Sequence, residues 1–342
     1  MTPTDLDHSS RDAPVSPVIH PHAPVARASK DSRAGLLAID KPAGPTSHDV
    51  VERVARRLRL ARAGHVGTLD PGATGLLLVA TGAATRCVPV WQGGDKTYEA
   101  VIEWGVVTAS QDLDGEVLER RAERPAEADV RDAARAFAGD IDQVPPMVSA
   151  VRVGGERLHA LARRGVEIER APRRVTIRRW EWLDFERDRA RVRITCTSGT
   201  YVRTLAHDLG QRLGCGAALA SLRRLRSEPF DVARAIPLAE LDQLAPDVVW
   251  ARAGLTLEQA LEHLPALVVH AHAEAEIGHG RRPSVGDASL AGLPIGGAPR
   301  SVVVRSAASG RVLALGSLHA GAGGDSDAPR LHPDVVFPWT VR

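Results

Sequence analysis

The chain has 342 residues and a mass of 36.5 kDa, enough for two domains of ordinary size. Hydrophobic residues make up 44% of the sequence and charged residues 25%, values that exclude collagen-like, coiled-coil and wholly disordered proteins. The net charge is only +2, and every apolar run is far shorter than the roughly 20 residues that cross a bilayer, so we expect a globular protein without a membrane segment.

The first 33 residues contain five prolines and scattered charges, with no periodic apolar pattern and no apolar core of a secretory signal. Such a segment buries too little apolar surface to offset its ordering entropy, so we expect residues 1–33 to be a disordered tail. Cys87, Cys196 and Cys215 lie far apart, without the spacing of a disulfide framework or a zinc site. These features indicate a reduced, cytoplasmic protein.

Ordered structure is predicted to begin with a strand at Gly35–Asp40, which ends in the proline-rich loop Lys41–Pro45. Thr46 and Asp49 then have the spacing of a capping box, which marks the start of a helix. The apolar residues of that helix recur at helical spacing: Val50, Val51, Val54 and Leu58.

Apolar periodicity predicts further elements downstream: strands at Thr97–Trp104, Val175–Trp182 and Val192–Cys196, and helices at Asp129–Phe137 and Val202–Leu213. Alternation in the last strand places Arg191 and Arg193 on one face, where they could meet phosphate groups. Arg203 lies off the apolar stripe of the last helix. Further helical pattern over Leu238–Leu264 precedes a small all-β module. Its hairpin-like strands are Ser301–Arg305 and Arg311–Leu318.

Arginine accounts for 41 of the 44 basic residues, and it is the side chain that forks onto phosphate and stacks on bases. Between Ala171 and Phe230, 13 arginines stand against six acids. Codon usage and a polyanionic partner both explain such a bias. The clustering favours a nucleic-acid partner.

The densest chemical signal is the segment Gly64–Gly75, GHVGTLDPGATG, whose four glycines allow a ligand to approach the backbone closely. Pro71 biases Asp70 toward extended geometry, which holds a carboxylate at a fixed angle, although an ordinary Asp-Pro-Gly turn would look the same. No phosphate-loop motif and no cluster of metal ligands occurs in the sequence. We therefore expect neither a nucleotide cofactor nor a metal.

This segment resembles the loop around the catalytic aspartate in the TruB family of pseudouridine synthases. Other blocks are similar to the family's motifs in the same order: Lys41–Ser47, Lys96–Tyr98, Thr108–Gly115, Pro145–Ala150, Ser198–Arg203 and Leu222–Arg224. The resemblance implies an α+β fold with a mixed central sheet and flanking helices, followed by a small β-rich, PUA-like RNA-binding domain. It divides the chain into the tail, a catalytic domain at residues 34–258 and a C-terminal domain at residues 259–342.

The implied activity is the isomerisation of uridine 55 in the T-loop of tRNA to pseudouridine, with Asp70 as the catalytic carboxylate. The resemblance implies the tRNA T stem-loop as partner, and no cofactor, metal, membrane or obligatory protein partner; we expect a monomer. It assigns these residues to substrate binding: His65, Tyr98, Tyr201, Arg203 and Leu222. It assigns these to the supporting motif: Lys41, Gly67, Pro71 and Gly72.

By the same resemblance Arg203 pairs with Asp70, while Tyr98 stacks on the uracil and is the candidate to remove the proton at C5. His65 fills the gap that the extruded base leaves in the RNA. Each residue also has an ordinary structural reading: a helix arginine on phosphate, a packed strand tyrosine and a hydrogen-bonded loop histidine. The pocket walls are expected to include Tyr201 and Leu222.

Four positions depart from the family's pattern: Ala109, Val148, Arg152 and His159. They concern RNA contacts and loop ordering rather than the bond chemistry. Three alternatives stay open at this point. The chain could fold tRNA without catalysis, it could act in a guide-RNA particle as another branch of the family does, and its C-terminal module could be a structural cap.

Deleting residues 1–33 should leave pseudouridine formation unchanged, because this segment lies outside every matched block and has the composition of a disordered tail. Turnover of the truncated and full-length chains on tRNA checks this. A large loss of turnover would mean that the tail contacts RNA.

Overall fold

The computed structural model describes residues 33–149, 152–153, 156–158, 164–166, 168–283, 301–319 and 330–340. The predicted tail lies outside these ranges except for its last residue, Arg33. Two positions that depart from the family's pattern also lie outside them: His159 and the side chain of Arg152. Among the residues so described, no helix has both the length and the apolar character needed to span a membrane.

The helices and strands follow the chain from residue 35 to residue 336. The helices are α1 (Ser47–Leu58), α2 (Val88–Gln92), α3 (Glu127–Ala134), α4 (Val202–Arg212), α5 (Pro246–Ala253), α6 (Leu257–Ala260) and α7 (Ala271–Gly278). The strands are β1 (Gly35–Lys41), β2 (Ala63–Val66), β3 (Thr74–Thr81), β4 (Lys96–Trp104), β5 (Val106–Thr108), β6 (Val117–Arg120), β7 (Gly139–Gln143), β8 (Arg152–Val153), β9 (Glu156–Arg157), β10 (Arg173–Phe185), β11 (Arg189–Cys196), β12 (Ala217–Ser227), β13 (Phe230–Asp231), β14 (Ile236–Pro237), β15 (Gly254–Thr256), β16 (Ala266–Val269), β17 (Ser301–Ser306), β18 (Val312–His319) and β19 (Arg330–Val336).

A large mixed sheet organises most of the described chain. Its central order is β14-β1-β3-β12-β4-β11-β10-β7, with β2, β13 and β15 attached at its margins. Most neighbours are antiparallel, whereas β1 with β14 and β3 with β12 are parallel. The predicted α+β class, with a mixed sheet and flanking helices, is confirmed.

The early elements agree closely with the sequence patterns. The hydroxyl of Thr46 accepts a hydrogen bond from Asp49 N (3.1 Å), and the Asp49 carboxylate accepts one from Thr46 N (2.8 Å), which forms the predicted capping box. The five later predicted elements appear as β4, α3, β10, β11 and α4, with bounds shifted by one to a few residues. The region Leu238–Leu264 is less helical than predicted, because β15 interrupts it and pairs with β1.

Strand β1 is buried on both faces, and its alternate residues belong to two different cores. Leu37 and Ile39 pack in a cluster that also contains the apolar stripes of α1 and α4. Leu36 and Ala38 pack in a second cluster on the opposite face. Successive side chains of a strand point to opposite faces, so a strand that is buried on both faces is apolar at nearly every position.

The C-terminal strands β16 to β19 form a separate four-stranded sheet. The antiparallel pairing of β17 with β18 confirms the predicted hairpin-like pair. The module is not all-β as predicted, since α7 follows β16. Val303, Leu315 and Phe337 of this module share the second core with Leu36 and Leu78 of the large sheet, so the module covers one face of that sheet.

Deleting residues 265–342 should therefore destabilise the protein, because it exposes the second core. Leu36, Leu78 and Trp91 are almost fully buried there, and burying such a side chain contributes about 1.5–3 kcal/mol. Calorimetry and gel filtration should show a lower unfolding temperature and aggregation. A soluble, equally stable truncation whose KM rises more than its kcat falls would instead identify the module as an RNA grip alone.

Candidate active site

Asp70 lies in the loop between β2 and β3, and side chains from two other elements hold the backbone on either side of it. The Ser47 hydroxyl accepts a hydrogen bond from Leu69 N (2.9 Å) and lies 3.0 Å from Leu69 O. Buried Lys41 donates from Nζ to Pro71 O (2.9 Å) and to a second loop carbonyl. The carboxylate therefore projects from a backbone that is anchored before and after it.

The residues predicted as a supporting motif all lie in or against this loop. Gly67 has φ of +75°, a conformation that favours glycine. A Cβ atom on Gly72 would come within 2.4 Å of the Asp114 carboxylate. Pro71 supplies a carbonyl to Lys41. These four positions shape and anchor the loop, and the acid it carries is Asp70.

Arg203, in the first turn of α4, forms an ion pair with Asp70 in which Nη2 and Oδ2 are 3.1 Å apart. Its side chain is only 4% exposed, and it also donates to Val148 O (2.7 Å). The sequence pattern placed Arg203 off the apolar stripe of α4 and gave no sign of this burial. The arginine is thus occupied inside the protein and is not available on the helix surface for phosphate.

A second acid, Asp112, lies near the same guanidinium, with its Oδ2 3.7 Å from Nη1 of Arg203. It belongs to the acidic loop that follows β5. Thr108 donates to its backbone carbonyl (2.6 Å), and Ser110 donates to its carboxylate (2.5 Å). The motif Thr108–Gly115 pointed to this loop, but nothing in the sequence singled out Asp112.

The charge state of Asp70 depends on its neighbours. Burial raises the pKa of Asp70, and the nearby Asp112 carboxylate raises it further, whereas Arg203 and Lys41 oppose both effects. Burial also lowers the pKa of Lys41 to about 8. The two cations therefore favour the ionised form of Asp70 against desolvation and a like charge.

Asp70 and Arg203 both line two adjoining cavities. The Tyr98 cavity has a volume of about 330 Å³ and includes Tyr98, Tyr201 and Leu222 in its walls. The Asp112 cavity has a volume of about 430 Å³ and is lined by the loops around Pro71 and Asp112, again with Leu222. Both volumes are in the range of small-ligand pockets.

Tyr98 reaches its cavity from β4 and lies directly opposite Arg224 of β12 in the strand register. Arg224 is 1% exposed and donates to Leu76 O (2.7 Å) and, more weakly, to Gly67 O (3.3 Å). Burial raises the pKa of Tyr98, and the charge of Arg224 opposes this. In the sequence Arg224 is only the last residue of the motif Leu222–Arg224, because a buried arginine cannot be distinguished from a surface one by residue type.

Tyr201 is the residue before α4, and a buried glutamine fixes its backbone. Gln143 accepts from Tyr201 N (2.8 Å) and donates to Tyr201 O (3.1 Å). Sequence reasoning missed Gln143, which stands at the end of β7. His65 stands on β2 and is not among the residues that line either cavity, and burial lowers the pKa of its imidazole.

Part of the local arginine excess is structural. Arg203 and Arg224 are buried, Arg193 donates to Glu99 (2.6 Å), and Arg223 forms a bidentate pair with the Asp40 carboxylate. Arg193 is therefore already paired with the glutamate on the neighbouring strand, and contact of the Arg191 and Arg193 face with phosphate groups stays a prediction.

Comparison with known proteins shows to which family the chain belongs. Residues 55–202 match the model of the TruB family pseudouridylate synthase N-terminal domain, and residues 203–264 match that of the tRNA pseudouridylate synthase B C-terminal domain. The tRNA pseudouridine synthase B of Symbiobacterium thermophilum is 47% identical over 272 residues, which cover 76% of this chain and 88% of the relative. The chain belongs to the TruB family of pseudouridylate synthases.

Further matches agree with the TruB assignment. The tRNA pseudouridine synthase B of a Synechococcus strain is 42% identical, covering 89% of this chain and 97% of that protein. A crystal structure of a Cbf5-Nop10-Gar1 complex matches with a TM-score of 0.69 and 28% identity over 91% of this chain and 88% of its own. Pseudouridine synthases are isomerases, so this TruB protein is an enzyme of that class.

Proposed function

We propose that this TruB enzyme converts uridine 55 in the T-loop of tRNA to pseudouridine, acting alone in the cytoplasm. The observation that carries the proposal is the Asp70–Arg203 ion pair at the edge of the cavity that contains Tyr98. Relatives named tRNA pseudouridine synthase B, at 42–49% identity, support tRNA as the substrate. We also propose a catalytic domain at residues 34–258 and an RNA-binding domain at residues 259–342.

The target base must leave its stack before a protein pocket can act on it, which costs a few kcal/mol. In our proposal the extruded uracil enters the Tyr98 cavity, stacks on Tyr98 and is enclosed by Tyr201 and Leu222. His65 replaces the base within the RNA, a role that suits its position outside both cavities.

Asp70 is the proposed catalytic carboxylate. Attack on the base, attack on the sugar and assistance to glycal formation all need this group ionised and held in place. Arg203 serves both needs through a charge-assisted pair, since a guanidinium keeps its charge at any pH at which the enzyme works. Walls such as Leu222 limit the access of water to the detached base.

Tyr98 is the proposed acceptor of the C5 proton. With an ordinary pKa near 10, removing the phenol proton at pH 7 costs about 4 kcal/mol, and burial adds to that cost. All protons in this step are accounted for without a co-reactant. The phenol proton passes to water, the phenolate takes the proton from C5, and N1 of the product takes a proton from water.

Tyr98→Phe should lower the single-turnover rate by about 10²- to 10⁴-fold, the usual contribution of a positioned acid or base. Affinity for tRNA should stay the same, because phenylalanine keeps the stacking face. Rapid-quench kinetics and filter binding measure the two quantities. An unchanged rate would restrict Tyr98 to stacking.

The proposed function is tested with purified protein and unmodified tRNA transcripts in the absence of guide RNA. Mass spectrometry of the product should find pseudouridine at one position, 55. Absence of product would favour guide-dependent action, for which the matched H/ACA particle, with a TM-score of 0.66 and 26% identity, is the structural precedent. Product at several positions would contradict the assignment to the T-loop.

A further inference from the structure

The proposed role of Tyr98 leaves one physical difficulty. A buried phenol holds its proton more tightly than a phenol in water, so a tyrosine base needs a group that stabilises its anion. That group must also be fixed, since a mobile cation would be drawn to the Asp70 carboxylate in the same cavity.

Strand pairing brings such a group to Tyr98. Antiparallel β12 and β4 place Arg224 directly opposite Tyr98, where paired side chains share one face of the sheet within contact distance. Both side chains line the Tyr98 cavity. The neighbouring Arg223 is instead paired with Asp40. Adjacent arginines of one strand therefore have different surroundings.

Carbonyl oxygens fix the Arg224 guanidinium from the side of the catalytic loop. Its Nε donates to Leu76 O (2.7 Å), while Nη1 and Nη2 donate to Thr68 O (3.4 Å) and Gly67 O (3.3 Å). All three acceptors are neutral. The positive charge is therefore held in position without being neutralised.

We propose that Arg224 is a positioning residue for Tyr98: it ties the Asp70 loop to β12 and presents a fixed positive charge that orients the phenol and stabilises its anion. This inference rests on the proposed function, because it matters for catalysis only if Tyr98 accepts the C5 proton.

The other ionisable groups around Tyr98 do not supply this charge. Lys96 donates to Gln92 O (2.6 Å) and Gly94 O (2.5 Å), and burial lowers the pKa of its ammonium to about 8, so its charge is less secure than that of a guanidinium. Burial raises the pKa of the Cys196 thiol to about 12, so it stays neutral, and Asp70 disfavours a phenolate. Among the described residues, Arg224 is the cation that lowers the pKa of Tyr98.

The chain offers a direct readout, because it contains only two tyrosines, Tyr98 and Tyr201. In a Tyr201→Phe background, biosynthetic 3-fluorotyrosine enters at position 98 alone, and its fluorine-19 shift reports ionisation of that phenol. Arg224→Gln and Arg224→Met should raise the proton affinity of the phenol by about tenfold or more, which is a pKa increase of about one. Arg223→Gln is the matched control and should leave it unchanged.

Kinetics give a second readout, which uses the full chain with both tyrosines. The neutral Arg224 variants should lose single-turnover rate at neutral pH by about the factor by which the proton affinity of the phenol rises, and they should regain it only at pH values above the raised pKa of Tyr98 in the parent. A variant with only a distorted loop would lose rate equally at all pH values. An unchanged titration of the fluorinated residue would overturn the inference and leave the proposed function intact.

If the titration shifts while pseudouridine formation does not change, Arg224 positions Tyr98 as inferred and the proton-transfer role of Tyr98 fails. If neither neutral variant folds, the test is the tyrosine doublet in the Raman spectrum of Tyr201→Phe, whose single tyrosine is Tyr98. This doublet reports whether the phenol oxygen accepts or donates a hydrogen bond. The phenol oxygen must then give the pattern of a strong hydrogen-bond acceptor. A pattern of a pure donor would overturn the inference.

Discussion

Asp70→Asn should abolish pseudouridine formation, lowering the single-turnover rate by about 10³-fold or more, as the loss of a catalytic nucleophile does. Asparagine has nearly the same shape but carries no charge and is a poor nucleophile. The loop should keep its conformation, because Ser47 and Lys41 hold the backbone on either side through main-chain atoms that the substitution leaves in place.

Affinity for tRNA should change by no more than about 1–2 kcal/mol, since phosphate contacts and base stacking supply most of the binding free energy. Filter binding at two salt concentrations measures this, together with a rapid-quench assay of the product. Asp40→Asn is the control: it also removes a carboxylate from the large sheet, but one that pairs with Arg223 outside both cavities.

The possible results separate the open alternatives. Binding without turnover, combined with intact folding of bound tRNA, would show that catalysis and a chaperone role are distinct. Retained turnover would remove Asp70 from the mechanism. Loss of both binding and turnover would mean that the Asp70–Pro71 turn has a structural role in forming the RNA surface.

Local features of this fold could be predicted from the sequence because their causes are local. The Thr46–Asp49 capping box depends on side chains three residues apart, and the buried face of β11 depends on strict alternation. The turn at Asp70 was also indicated locally, since Pro71 restricts the residue before it, but the role of this loop in the site was expected only from the resemblance to the TruB family.

Features that depend on distant partners could not be predicted from spacing alone, and the pairing of Arg203 with Asp70 was expected only from the family resemblance. Arg224 and Asp112 belong to the site because β12 and the loop after β5 pack beside the Asp70 loop, which no spacing in the sequence reveals. The same applies to Gln143, whose partner Tyr201 is 58 residues away. The arginine content likewise indicates how much positive charge the chain carries, but not how many arginines are buried or paired with acids within the protein.

Removing the cation beside Asp70 should also lower turnover strongly. Arg203→Gln is expected to lower turnover at neutral pH by on the order of 10²-fold, comparable to the loss of one fixed electrostatic contact in an active site. Arg203 lowers the pKa of Asp70, so its removal lets burial and Asp112 raise that pKa further. Because the ionised carboxylate is the active form, activity should then be lost at a higher pH on acidification than in the parent enzyme.

Single-turnover rates across the acid and neutral range measure this shift. Arg203→Lys is the matched charge-preserving variant and should keep an acid limb close to that of the parent, although a single ammonium cannot reproduce the guanidinium fork. Adding Asp112→Asn to Arg203→Gln should move the acid limb back toward lower pH, because it removes the like charge that raises the pKa of Asp70. A uniformly lower rate with an unshifted acid limb in Arg203→Gln would contradict the electrostatic role and leave Arg203 as a support for the Val148 carbonyl.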